Sequence, residues 1–535
     1  MSIVRYAVAT VIAAAAATSA NALDISTYAG NAGTNINVFI SGSTAVDNTL
    51  LNTEIATASP GGLCAANTID VYQIGAPSQR LTYCSAATGL TGITAGTPLA
   101  IFKESSAGSI NGAAPLIAVA KGSASGVGFI SPALLVAATG DADCTTSTVA
   151  ATASFSSYTL HAACGGSIVT TNTVPTGGVA DVEANLLRTI PGAGTLSTAD
   201  ISADLSGAPG LDVIWGVSVT KNLYYALQVA EHLTDGTKTG CSTANNDSPA
   251  CAPTLTKAQV ASLYQASGLL SWDQIIGISN ATDNNVYVCR RDVGSGAEAS
   301  FEAYFLGARC GSSSEQMATQ DGQFVFTSSS TGNVRSCLQA FFSGGTITPY
   351  NGDFNTTFPP VAQPGGQWAI GILSSEVSAA NLSGANDSFR MVAVDGVLPT
   401  LANTVNGFWP YFSTDVFYTV AAGKTGAPTG QPLAAFRALQ AKIGHPALTA
   451  VTNTGFAGRP WGNGGDLAPA SLFQASNPPT VPATAATATT NPTNVFTKAS
   501  SGSVNNCDTP VLFNNQTTAV KTPAPAVLLG NGNVN

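Results

Sequence analysis

Three times in this chain a short apolar run is followed by a loop of small hydroxyl residues and then by a helical pattern. The first is Asn37-Val-Phe-Ile40, then Ser41-Gly-Ser-Thr44, then the helix start Val46 to Leu51. The second is Leu99-Ala-Ile-Phe102, followed by Lys103-Glu-Ser-Ser-Ala-Gly-Ser-Ile110. The third is Asn285-Val-Tyr-Val-Cys289, followed by Arg290-Arg-Asp-Val-Gly-Ser-Gly-Ala297 and a helical run whose aromatics stand at 301, 304 and 305. Apolar runs of four to eight residues alternating with helical periodicity predict an α/β architecture. Leu211 to Val219 is the longest buried-strand candidate, with helices predicted over 222–233 and 257–264. Residues 139–200 are rich in Thr, Ser and Ala and read as an insertion. From about 474 the chain turns to low-complexity Pro, Thr, Ala and Asn.

These junctions suggest a chemistry. A helix N-terminus offers unpaired N–H groups and a partial positive charge, and Ser or Thr hydroxyls add donors with little bulk. Several such ends converging on one point make an anion cradle. At any single junction the small hydroxyl more often serves as a helix cap. The third junction is more specific, because Arg290 and Arg291 stand directly before Gly294-Ser-Gly296. A guanidinium beside backbone donors can grip an oxyanion bidentately. Strand alternation turns one of the two inward, and Arg291 is the choice; the competing reading is ion pairing to Asp292 or Glu298.

Composition sharpens this. Only 9% of the 535 residues are charged, with a formal net charge of −10, against about 25% in ordinary soluble domains. No basic run exists, which excludes nucleic acid as a partner. The start has Arg5, an apolar run from Tyr6 to Ala17, and Thr-Ser-Ala-Asn-Ala ending at Ala22. This is the pattern of a signal peptide over 1–22, so the chain is expected to be exported, to the periplasm or the cell exterior.

Export fits the ten cysteines, Cys64, Cys84, Cys144, Cys164, Cys241, Cys251, Cys289, Cys310, Cys337 and Cys507, as disulfides. Pairing nearest neighbours gives 64–84, 144–164, 241–251 and 289–310, leaving 337 for 507; sequence alone leaves the connectivity open. No C-x-x-C is present and His161, His232 and His445 are scattered, so no metal or other cofactor is expected. Neither a G-x-S-x-G elbow nor an H-E-x-x-H motif occurs, so no enzyme activity is expected.

Taken in order, the motifs resemble those of the periplasmic phosphate-binding proteins of ABC importers. Ile40 to Ala45 looks like that family's first phosphate loop, Glu104 to Gly108 like its second, and Arg290 to Ala297 like its Arg-x-Asp-Gly-Ser-Gly-Thr signature. Asp212–Val219, Thr256–Gly277, Trp368–Leu373 and Met391–Pro410 resemble its other landmarks. The resemblance covers roughly 36–445. It implies a two-lobed periplasmic-binding-protein type II fold with insertions and a C-terminal extension. Lobe one would be 23–213 plus 371–470, lobe two 214–370, and the extension 471–535. It also implies a small oxyanion, phosphate first, held by Ser43, Thr44, Ala45, Ser105, Ser106, Arg291, Ser295 and Gly296, and an ABC permease as partner. The chain departs from the family at Val293 and Ala297, where the signature has Asp and Thr. The first lobe's ligand-facing Asp would fall near Gly128-Phe-Ile-Ser131, where no carboxylate stands. The alternative is a secreted or surface protein that reuses the scaffold for structure, adhesion or self-association.

Overall fold

A computed structural model describes residues 23–469 apart from 32, 75–78, 106–107, 138–143, 166–168, 171, 188–195, 236–240, 242–245, 266–267, 308–320, 351–357 and 378–386. Beyond 469 it describes only the strands Phe496–Thr497 and Val511–Leu512. The signal-peptide segment, Ser106, Cys310, Cys507 and nearly all of the C-terminal extension lie outside the described residues.

The fold is α/β, as the alternating pattern requires. Its main sheet has fourteen strands. They are β1 (Ile36–Gly42), β2 (Asp70–Ile74), β3 (Gln79–Ser85), β4 (Pro98–Glu104), β5 (Thr145–Val149), β6 (Tyr158–Ala162) and β7 (Gly177–Ala180). They continue as β8 (Leu205–Thr220), β9 (Tyr287–Arg291), β10 (Val325–Ser328), β11 (Ala369–Ser374), β12 (Phe389–Met391), β13 (Phe412–Val420) and β14 (Asp466–Leu467). Across the sheet the order is β10-β9-β11-β8-β13-β7-β1-β4-β3-β2-β6-β5, with β12 and β14 also paired to β8.

The sixteen-residue β8 organises this sheet. Residues 205–214 pair with β13, and residues 215–219 pair with β11. One strand therefore belongs to two half-sheets, and the exchange of partners falls between Ile214 and Trp215. Residues 210–220 are all buried, which is why this stretch reads as an unbroken apolar run rather than an alternation. In the first half, β1 lies parallel to both β4 and β7. In the second, β9 lies parallel to β10 and β11.

Helices follow the parallel strands: α1 (Asp47–Ile55) after β1, α2 (Ala114–Ala120) after β4, α3 (Gly296–Phe305) after β9 and α4 (Thr331–Ser343) after β10. A fifth, α5 (Gly430–Ile443), packs against α1 and β1. Among the described residues no helix is long and apolar enough to cross a membrane.

Two expectations are corrected here. Residues 139–200 are not wholly an insertion, because β7 lies within them and occupies the centre of the first half-sheet, between β13 and β1. The disulfides form as Cys64–Cys84, Cys144–Cys164 and Cys241–Cys251, as nearest-neighbour pairing gives. Cys289, however, bonds to Cys337 rather than Cys310, which also frees Cys507 from the pairing assigned to it. The reason is packing: α4 lies on β9 and buries Cys337 and Cys289 in one apolar cluster.

Candidate functional site

β1 has β4 on one side and β7 on the other, all parallel. Connections leaving neighbouring parallel strands to opposite sides open a crevice at their C-terminal ends, the usual ligand position in such sheets. The chain ends that meet there are Gly42–Ser43 after β1, Gly108 and Ser109 after β4, and Asp181 after β7. The loop after β9, Asp292 to Gly296, comes to the same place from the second half.

Close approach is possible because the contact positions lack side chains. Gly42 has φ +98°, and a Cβ there would lie 2.2 Å from the Val179 carbonyl oxygen. A Cβ on Gly296 would lie 2.6 Å from Asp181 Cβ and 2.7 Å from Ser109 Oγ. Both glycines are required by contact.

Asp181 is the hub. Its carboxylate accepts hydrogen bonds from Ser43 Oγ and from Ser109 Oγ, the latter at 2.8 Å. Ser109 Oγ in turn accepts from the Asp181 N–H at 3.1 Å and, across the crevice, from the Gly296 N–H at 3.0 Å. The Ile110 N–H also donates to the Gly294 carbonyl at 2.8 Å. The first turn of α3 is thus tied directly to the first half.

Burial pushes the Asp181 carboxyl above its ordinary range, outweighing Ser43, Ser109, Arg291 and Lys103, which pull it down.

The residues expected from sequence fall into three groups. Ser43, Ser295 and Gly296 stand at the crevice. Ser295 occupies the cap position of α3, yet its side chain makes no capping bond. Its Oγ is fully buried with no partner among the described residues. The capping explanation thus fails for this serine, leaving an unspent donor.

The second group is engaged elsewhere. The Ala45 N–H donates to Ser43 Oγ at 3.1 Å. Ser105 Oγ donates to Asp47 Oδ1 at 2.8 Å and accepts from Lys103 Nζ. Thr44 is half-buried, and its carbonyl accepts the Asp47 N–H.

The third group is the arginines, and both are ion-paired. Arg290 meets Glu298, while Arg291 reaches Asp292 Oδ1 at 3.3 Å and the carbonyls of Ser328 and Ser329 at 3.2 and 3.1 Å. The Arg291 guanidinium still contributes positive charge to the crevice, since it acts on Asp181.

This constellation brings Ser43, Ser109, the buried Asp181 carboxyl and the N-terminus of α3 together. Among solved structures the chain is similar to the following. One is a putative phosphate ABC transporter substrate-binding protein with bound phosphate from Clostridium perfringens, at 14% identity and TM-score 0.36, covering 78% of this chain and 97% of that one. Another is an ABC-type phosphate transport receptor from Vibrio cholerae, at 12% identity and TM-score 0.25, covering 47% and 69% respectively. No family model matches the chain, and no curated protein matches it.

Sequence reasoning missed Asp181, Ser109 and Lys103: it looked for a carboxylate near Gly128–Ser131, where none stands, while the crevice carries Asp181 from another segment. The signal for it was Gly177-Gly-Val-Ala180, a short strand of small residues before Asp181 and a helical turn at 184–187. It was hidden in the stretch read as insertion. Lys103 is buried at the end of β4, where its ammonium bonds the Gly42 and Ser43 carbonyls and pairs with Asp47 Oδ1 at 3.2 Å. Burial lowers its pKa, against the pull of Asp47 and Glu104. Among the described residues no group of three His, Cys, Asp or Glu is arranged to hold a metal ion.

Proposed function

We propose that this chain is an exported solute-binding protein, not an enzyme, which holds a small protonated oxyanion of the phosphate class between two lobes. The lobes are 23–213 plus 371–470 and 214–370, with β8 running through both. The observation that carries the reading is Asp181 receiving Ser43 and Ser109 while Ser109 receives the Gly296 N–H. Ser295 would turn its unspent hydroxyl to the anion, and the N-terminus of α3 would add N–H donors and dipole. Asp181 would accept the ligand's proton, favouring phosphate and arsenate over sulfate. A carrier of this kind would deliver its ligand to a permease in the membrane.

One observation favours the second reading, a surface scaffold whose ligand site is altered. Lys103, Arg290 and Arg291 are each already paired with a carboxylate of the chain itself. Calorimetric titration with phosphate, arsenate and sulfate separates the two. The binding reading expects heat with the first two, little with sulfate, and at least a tenfold loss in Asp181→Asn, since a charged hydrogen bond contributes about 1.5–3 kcal/mol. Absence of heat with all three anions would overturn it and leave the scaffold.

A further inference from the structure

Four carboxyls from four different segments meet where β8 changes partners. Asp212 lies on β8 itself. Asp466 on β14 faces Val213 of β8 across the pairing. Glu376 follows β11, at the point where the Ser375 N–H bonds the Ile214 carbonyl at 2.7 Å. Asp415 lies on β13, at the break in register between Pro209 and Asp212 of β8.

The β13–β7 register places Val416 opposite Ala180, so the next position inward sets Asp415 against Asp181. All four side chains are buried, and Asp415 is 0% exposed.

Hydrogen bonds reach three of the four. Thr414 donates to Asp212, Thr49 to Asp466 Oδ2 at 2.7 Å, and Ser374 to Glu376 Oε1 at 3.5 Å. Among the described residues, both oxygens of Asp415, Oε2 of Glu376 and Oδ1 of Asp466 have no hydrogen-bond partner.

The largest charge effects on Asp415 come from Asp181, Asp466, Asp212 and Glu376, each of them acidic. Glu376 faces Asp466, Asp47 on α1 and Asp181, and it pulls on Arg335 of α4 and on Arg459. Asp466 faces Asp212. Lys103 and Arg291 act on Asp181.

An ionised carboxylate buried without partners is strongly disfavoured, and like charges on adjacent strand positions repel. Burial and the neighbouring carboxylates hold Asp415, Glu376 and Asp466 above the ordinary carboxylate range.

We propose that Asp415, backed by Glu376 and Asp466, is a proton-operated latch at the junction of the two half-sheets. Protonated, these carboxyls let the strands around Asp415 pack as described; ionised, they repel one another, loosen the junction and wet it. The latch operates without ligand. Its consequence for cargo, held at low pH and released as pH rises, rests on the anion-binding reading above.

The test uses the full chain without ligand, as wild type and as Asp415→Asn. Small-angle scattering and thermal melts are recorded from about pH 5 to about pH 9. Wild type is expected to expand and to melt lower as pH rises, its opening equilibrium shifting by up to about tenfold per pH unit for each proton released. Asp415→Asn, which cannot ionise, is expected to lose a proton's share of that slope. Should Asp415→Asn not fold, Asp466→Asn carries the same expectation. Equal slopes in variant and wild type, or no slope in wild type, would overturn the latch.

Phosphate titrations at both ends of the range keep the two readings apart. Binding that ignores pH and Asp415→Asn sinks the latch alone. No binding at either pH, with the pH-driven expansion intact, sinks the anion reading alone.

Discussion

Replacing Gly296 with Ala perturbs closure of the crevice and little else. The added methyl would lie 2.6 Å from Asp181 Cβ and 2.7 Å from Ser109 Oγ, both in the other half of the molecule. Asp181 Cβ is fixed to the backbone and cannot swing aside as the end of a long side chain could. Within α3 the change favours the helix slightly, since Ala is a better helix former than Gly.

The cost therefore falls on the state in which the halves touch. Overpacking of one methyl into a tight contact costs about 1–3 kcal/mol, and displacement of α3 also weakens the Gly296–Ser109 hydrogen bond. Opening relieves the clash. The expected result is about a 5- to 150-fold loss of anion affinity, a larger radius of gyration in scattering, and a melting temperature near that of wild type. A melting temperature that falls by the whole cost, with the radius unchanged, would refute the reasoning. It would mean that the two halves form one inseparable core.

Further outcomes follow from the same geometry. Ser295→Ala should weaken anion binding while leaving urea stability within about 0.5 kcal/mol, because this serine caps nothing; a true cap would cost about 0.5–2 kcal/mol. Removing the Cys289–Cys337 disulfide by a double Ala substitution reopens a 48-residue separation. It should lower the urea-unfolding free energy by about 4 kcal/mol on the chain-entropy relation, and a loss under about 1 kcal/mol would contradict that pairing. Glu298 is pushed up to about 8 by burial, which outweighs Arg290. The folded chain then binds more protons than the unfolded one, so this group's contribution to stability falls as pH rises from about 4.5 to about 8. Glu298→Gln should flatten that part of the stability profile.

Much of this protein is legible in its sequence because the relevant physics is local. A strand, a small polar loop and a helix start are set within about fifteen residues, so the junctions after β1, β4 and β9 can be read directly. The composition of β8 likewise declares a strand buried on both faces. Cys64–Cys84, Cys144–Cys164 and Cys241–Cys251 join cysteines at most 20 residues apart, where proximity in the chain sufficed.

What the sequence could not order was long-range. Asp181 enters the crevice because the short strand Gly177–Ala180, three of whose four residues are Gly or Ala, fits between β1 and β13, and such residues carry almost no periodic signal. Cys289 meets Cys337 because α4 covers β9, a choice made by apolar packing between segments and not by spacing. Arg290 and Arg291 look from sequence like a free anion grip, while packing gives each a carboxylate of its own. The four carboxyls around the partner exchange in β8 stand between 39 and 164 residues from their nearest chain neighbour in the cluster. Only the tertiary structure brings them together, because register and burial, which decide the protonation of such groups, belong to contacts between distant strands.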